Sequence, residues 1–185
     1  VPRIGVRFRL PASMNQVEYF GRGPAENYLD RNAGSMIGLY KSTAEELYFP
    51  YVRPQENGHH TDTRWVSLST GKKGLLIQAD NTIGFNALRN SIEDFDDEEA
   101  TGLPRQWSNF TPEQVANHDE AAAKSVLRRQ HHINDITPRD FVEVCVDLKQ
   151  QGVAGYDSWG SRPEPAYTLP ANREYNWGFT LIPLK

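Results

Sequence analysis

The sequence predicts an all-β chain of antiparallel strands, on three observations. Short stretches alternate apolar and polar residues with a period of two, turn formers are frequent (14 Gly, 12 Pro), and aromatics are abundant (8 Tyr, 8 Phe, 4 Trp). With 185 residues the chain can bury one substantial core, and residues 1–185 are read as one domain.

The strands follow in order. From Ile4 to Leu10, apolar Val6, Phe8 and Leu10 alternate with Gly5, Arg7 and Arg9, as on a strand with one buried face. Met14–Phe20 repeats the pattern. Gly21–Arg31 (GRGPAENYLDR) is a loop, with Gly21, Gly23 and Pro24 opposing regular structure, and Glu26 and Asp30 are expected to pair with Arg22 or Arg31. Met36–Tyr40 reads as a short strand. Tyr48–Asn57 carries Pro50 and Pro54 and should run extended across a sheet. His59 and His60, adjacent on a strand, point to opposite faces; they are poor joint ligands for one metal and are read as surface residues.

Thr61–Ser69 and Leu75–Ala79 flank the polar turn Thr70–Gly74 and form a hairpin; Gly84–Leu88 is a further strand. The acidic run Glu93–Glu99 lacks the ligand spacing of a calcium loop and reads as a solvated charge cluster. One helix is expected near 111–124, where Thr111-Pro112-Glu113-Gln114 gives a capping-box pattern with Pro at the first helical position and Ala-rich sequence follows. Phe141–Leu148 is the clearest strand, with Val142, Val144, Val146 and Leu148 on one face and Phe141, Glu143, Cys145 and Asp147 on the other. Tyr175–Leu184 alternates through Trp177, Phe179 and Leu181 as a closing strand.

Charge and cysteine usage exclude several function classes. Lys plus Arg number 20 against 24 Asp plus Glu, scattered along the chain, so the basic footprint of a nucleic-acid binder is missing. The lone Cys145 forms no internal disulfide and reads as a packing residue. No run approaches the ~20 apolar residues of a membrane span. The chain starts on a strand-like alternation without Met, as expected of a piece cut from a longer polypeptide, and the compartment, cytoplasmic or periplasmic, stays undecided.

The signatures of common hydrolases and nucleotide binders, G-x-S-x-G, H-E-x-x-H, the P-loop and G-x-G-x-x-G, are absent from the sequence. A sugar offers a flat face of C–H bonds and a rim of hydroxyls, so its site needs an aromatic plate beside polar groups. The glycine-bounded loop Gly155–Gly160 (GYDSWG) offers Trp159 with Asp157 and Ser158; the plainer alternative is a Trp packed on its own loop. His131 and His132, close to Asn134 and Asp135, could do acid and base work on a sugar hydroxyl, or simply face solvent.

Four blocks, PRIGVRF at Pro2–Phe8, YFGRGPAENYLDR at Tyr19–Arg31, PYVRPQENG at Pro50–Gly58 and DLKQQGVAGYDSWG at Asp147–Gly160, resemble in order the C-terminal small-chain domain of family 2 β-galactosidases. Two departures stand out: a longer connection from about Glu98 to Gln130, and Ala154-Gly155-Tyr156 where the family usually has Gly-Gly followed by Asp or Asn. The resemblance implies an antiparallel β supersandwich similar to galactose mutarotase, the last domain of a retaining β-galactosidase. Its two catalytic glutamates would lie in a separate barrel domain of the parent, so no catalytic residue is expected in this segment. The resemblance further implies that Trp159 reaches the barrel's active site as an aromatic platform for the sugar, with Asp157 and Ser158 shaping the loop and Arg53 and Glu56 as outlying substrate contacts. The β-galactoside and the missing barrel and β domains are the implied partners, Mg and Na ions belong to the parent, and the parent is a homo-oligomer. A free-standing carbohydrate-binding module and a mutarotase-like epimerase using His131 or His132 are the rival readings.

Overall fold

The computed structural model describes residues 1–52, 54–95, 133–157 and 160–185. Among these the chain is all-β: β1 (Arg3–Pro11), β2 (Gln16–Gly23), β3 (Met36–Thr43), β4 (His60–Ser69), β5 (Gly74–Leu88), β6 (Phe141–Gln150) and β7 (Phe179–Leu184). All strand pairs are antiparallel and form one sheet in the order β1-β6-β5-β4-β2-β3, with β7 also paired to β5. The expected helix at 111–124 lies outside the described residues.

Period-two patterning sets the layers. One face carries Val17, Tyr19, Val66, Leu68, Ile77, Phe85, Ala87, Val142, Val144 and Val146, each 2% exposed or less. Register brings them side by side: Tyr19 faces Val66, Val66 faces Ile77, and Phe85 faces Val146. At the centre Tyr19 contacts Tyr40, His60 and Phe85, with ring centroids 5.4, 4.9 and 5.1 Å away. Burying side chains of this size contributes about 1.5–3 kcal/mol each before ordering costs are counted.

Local chemistry explains the β4–β5 hairpin. Thr70 N–H donates to Lys73 O (2.8 Å), the Thr70 hydroxyl oxygen accepts from Lys73 N–H (3.2 Å), and Gly71 takes the positive φ (83°) that the turn needs.

Beyond the hairpin, β5 departs from expectation by running unbroken through Asp80-Asn81, so the two strands expected at 75–79 and 84–88 are one. Opposite it, the partners advance from Thr63↔Ile83 to Trp65↔Gln78, so the extra residues bulge out of the ladder while the strand continues. Its first half takes β7 as neighbour, from Gly74↔Leu184 to Ala79↔Phe179, and its second half takes β6, from Gly84↔Asp147 to Leu88↔Glu143. At the chain's far end only Phe179–Leu184 is strand; Trp177 sits before it, tilted on Phe179 at 5.5 Å.

Two further expectations are corrected. His59 and His60 do point to opposite faces, yet both are 1% exposed rather than surface residues, because each finds buried acceptors. In the acidic run, Asp94 is buried rather than solvated: its carboxylate accepts the Ser91 N–H (3.0 Å) at the start of a 3-10 turn, while residues 96–99 lie outside the described set.

The chain divides into two compact units: Val1–Phe49, Asn57–Arg89 and Arg139–Lys185, which holds the whole sheet, and Pro50–Glu56 with Asn90–Pro138. Within the second unit, Ile133 N–H donates to Val52 O (3.3 Å) and the Asn90 amide to Thr137 O (2.9 Å).

Candidate functional site

On the second face of β6, Glu143, Cys145 and Asp147 are 3%, 2% and 0% exposed, so Cys145 is a packing residue as expected and two charges are buried beside it. The charges are buried because β1 and β5 supply partners on the same face. Register sets Arg7 opposite Cys145, Arg9 opposite Glu143, and Asn86 opposite Cys145. Arg3 is the hub: its Nε lies 3.2 Å from Asp147 Oδ2, and its terminal nitrogens donate to Asn86 Oδ1 (3.0 Å), Gln150 Oε1 (2.5 Å) and Cys145 Sγ (3.3 Å). Arg9 Nε meets Glu143 Oε2 at 3.0 Å, and Arg7 meets Oε1 at 3.5 Å. Gly5 and Gly84 leave the room for this packing; a Cβ at Gly5 would strike Asp147 Oδ1, and one at Gly84 would stand 2.5 Å from the His59 ring.

His59 extends the seam. Asn86 donates its amide to Asn57 O (2.8 Å), which leaves Oδ1 to accept the His59 Nδ1–H at 2.8 Å. Burial holds the His59 pKa down to about 3, and the Arg3 charge acts in the same direction. The ring is therefore neutral at ordinary pH, and at 3.9 Å its Nδ1 forms no ion pair with Asp147. Being closed to solvent and uncharged, His59 positions groups rather than moving protons to a substrate.

A second network locks two loops together. Glu26 holds Arg31 (2.7 Å) as expected, and its Oε2 accepts Gly58 N–H (2.6 Å) and the Tyr28 hydroxyl (3.3 Å). Asn27 Oδ1 accepts both the N–H and the hydroxyl of Thr61 (2.9 and 2.6 Å), and Asn27 N–H donates to His59 O (2.7 Å). Tyr28 stacks on His59 at 5.7 Å. Arg22 instead pairs with Asp62 (2.5 Å).

Asp30 serves neither arginine. Its Oδ1 accepts Val153 N–H (3.1 Å), its Oδ2 accepts Ala154 N–H (2.8 Å), and the Tyr156 hydroxyl lies 3.5 Å from Oδ2. Further along that loop, Tyr156 N–H donates to Ser161 Oγ (3.1 Å) and Ser161 N–H donates to Asp157 Oδ1 (3.3 Å). All four sequence blocks thus converge, through Arg3 of the first, Glu26 to Asp30 of the second, Asn57 and Gly58 of the third, and Asp147 to Ala154 of the fourth. Sequence reading missed His59, Asn86 and the clamp by Asp30, since each joins residues far apart in the chain.

Of the expected substrate contacts, Arg53, Ser158 and Trp159 lie outside the described residues, as do His131 and His132. Asp157 is exposed and closes its own loop through Ser161. Glu56 is partly buried and belongs to the second unit, whereas Asp157 belongs to the sheet unit.

The family description Beta galactosidase small chain matches residues 1–181. The chain belongs to this β-galactosidase small-chain family. The β-galactosidase of Priestia megaterium is 35% identical over 185 residues, covering 100% of the chain and 15% of the relative. That of Vibrio cholerae is 29% identical over 181 residues, covering 98% of the chain and 14% of the relative. An Arthrobacter β-galactosidase is 41% identical over 99 residues, 50% of the chain and 10% of the relative. The small-chain segment therefore spans about one-seventh of the length of the relatives it matches.

Proposed function

We propose that this small-chain segment is the terminal β domain of a retaining family 2 β-galactosidase that cleaves terminal β-D-galactosides such as lactose, inactive by itself and completing the active site with Trp159. The observation that carries this reading is the match of the whole chain to only 15% of a β-galactosidase, which leaves the bulk of that enzyme for the barrel and its two glutamates. The buried carboxylates of the segment support a structural role: Asp147 and Glu143 are matched by Arg3 and by Arg7 and Arg9, so neither is disposed as a nucleophile or as an acid. The same pairing leaves them ill-suited to hold a cation, and the Mg and Na ions of this reading belong to the remainder of the parent.

The loop leading into Trp159 is held by Asp30 on one side and closed by Asp157 and Ser161 on the other, which suits an aromatic plate that acts by binding. In the parent, Trp159→Ala should raise KM for lactose by about three- to tenfold while kcat changes less, since an aromatic contact of this kind is worth roughly 0.5–1.5 kcal/mol and acts in ground and transition state alike. The isolated 185-residue chain should not hydrolyse a chromogenic β-galactoside; robust turnover would overturn the reading, and so would an unchanged KM in the variant.

A further inference from the structure

We propose that Asp30 is the positioning residue of the loop that precedes Trp159 in the chain: its carboxylate holds the backbone at Val153 and Ala154, and the sugar contact proposed for Trp159 depends on that hold. This rests on the proposed role of Trp159 but concerns a residue 129 positions earlier, on a different loop of the sheet unit.

Three observations carry it. The two carboxylate oxygens accept consecutive backbone N–H groups, Val153 at 3.1 Å and Ala154 at 2.8 Å, a bidentate grip that fixes the direction of the loop as well as its distance. Gly152 lies so close that any Cβ would collide with the Asp30 carboxylate, so the approach is built into both partners. Ala154 holds φ of +55°, a left-handed conformation that L-residues avoid, and the bond from its own N–H to Asp30 is what holds it there. Asp30 is itself set by the tight turn in which Tyr28 and Arg31 exchange backbone hydrogen bonds (3.2 and 2.8 Å), and Arg31 is anchored on Glu26. The line of contacts from Glu26 to the loop is therefore continuous.

The test uses the full-length β-galactosidase that contains this segment, with Asp30→Asn, which keeps the size and offers one acceptor oxygen to two N–H donors. Hydrogen exchange at Val153 and Ala154 should quicken about tenfold, the loss expected for one charge-assisted hydrogen bond, with exchange in β5 and β6 unchanged. KM for lactose should rise by a similar factor while kcat stays within about twofold. Gly152→Ala, which pushes the loop off an intact carboxylate, should raise KM in the same way. Asp62→Asn, at the half-exposed partner of Arg22, should alter neither quantity. Unchanged exchange in Asp30→Asn overturns the inference, as does a KM rise of equal size in Asp62→Asn. Trp159→Ala separates the two readings: if it raises KM and Asp30→Asn does not, the positioning role falls and the sugar contact stands; if it leaves KM alone, the sugar contact falls, while the exchange data still report whether Asp30 holds the loop.

Discussion

Arg3 and Asp147 meet across β1 and β6 with the guanidinium Nε 3.2 Å from a carboxylate whose side chain is 1% exposed. A pair so placed is strongly asymmetric to mutation, because removing one member leaves the other charged in a dry environment. Arg3→Met should destabilise the fold by about 3–5 kcal/mol in urea denaturation. The double change Arg3→Met with Asp147→Leu should recover much of the loss; a double variant no more stable than the single one would count against this account of the seam.

His59 makes stability depend on pH on the acid side. Its folded pKa, about 3, is depressed below the unfolded 6.5, so between those values the unfolded chain binds a proton that the folded chain refuses. Stability is therefore greatest above pH 6.5 and falls as pH drops toward 3. His60, also lowered by burial, adds to the same slope. His59→Gln should flatten the fall measured by thermal unfolding between pH 6.5 and 4 relative to the parent chain; an unchanged slope would mean that His59 titrates like an exposed histidine.

Neighbouring loop residues should respond oppositely to a methyl group. Gly155 has φ +83° and open space for 4 Å around the point where a Cβ would stand, so Gly155→Ala costs only backbone strain, about 1–2 kcal/mol. Ala154→Gly relieves the same kind of strain at φ +55° and should be neutral or stabilising by up to about 1 kcal/mol. Equal effects from the two changes would show that the left-handed stretch is not kept in solution.

Gly84→Ala tests the packing of His59 directly. Its Cβ would stand 2.5 Å from the ring in a region with no solvent to yield into, so a loss of about 1–3 kcal/mol is expected, together with a shift of the His59 ring resonances. A variant as stable as the parent chain would show that the ring has room to move.

The strands were legible where one face is apolar and the other polar. Val142, Val144 and Val146 announced β6, and the Thr70–Lys73 turn announced the β4–β5 hairpin. What the sequence concealed was the second buried face. Glu143 meets Arg9, which the β1–β6 register sets opposite it, whereas Asp147 meets Arg3, which the register sets opposite Gln150 and whose Nε reaches the carboxylate at 3.2 Å; both arginines lie more than 130 residues earlier. The same holds for His59 and His60, whose alternation was readable but whose burial depends on Asn86, Pro24 and Gly58. Asp80-Asn81 resembles a turn, and only the unequal advance of β4 and β5 shows it to be a bulge. The sugar contact proposed for Trp159 comes from the glycine-bounded aromatic loop and from family resemblance; the bonds from Val153 and Ala154 to Asp30 join distant segments that local pattern does not encode.

The polar seam also bears on how the chain finds its pairing. On the apolar face, β6 presents three valines, Val142, Val144 and Val146, to Leu10, Phe8 and Val6 of β1, so that face specifies the alignment only weakly. On the other face the rungs are all different: Gly5 admits Asp147, Arg7 sits at Cys145 and Arg9 grips Glu143. A slipped β1 would drive a long side chain into the space that Gly5 leaves for Asp147 and carry Arg3 away from its carboxylate. The buried charges thus work as a key that only one alignment turns, and weakening them should yield chains that pair in more than one way before it yields chains that fail to pair.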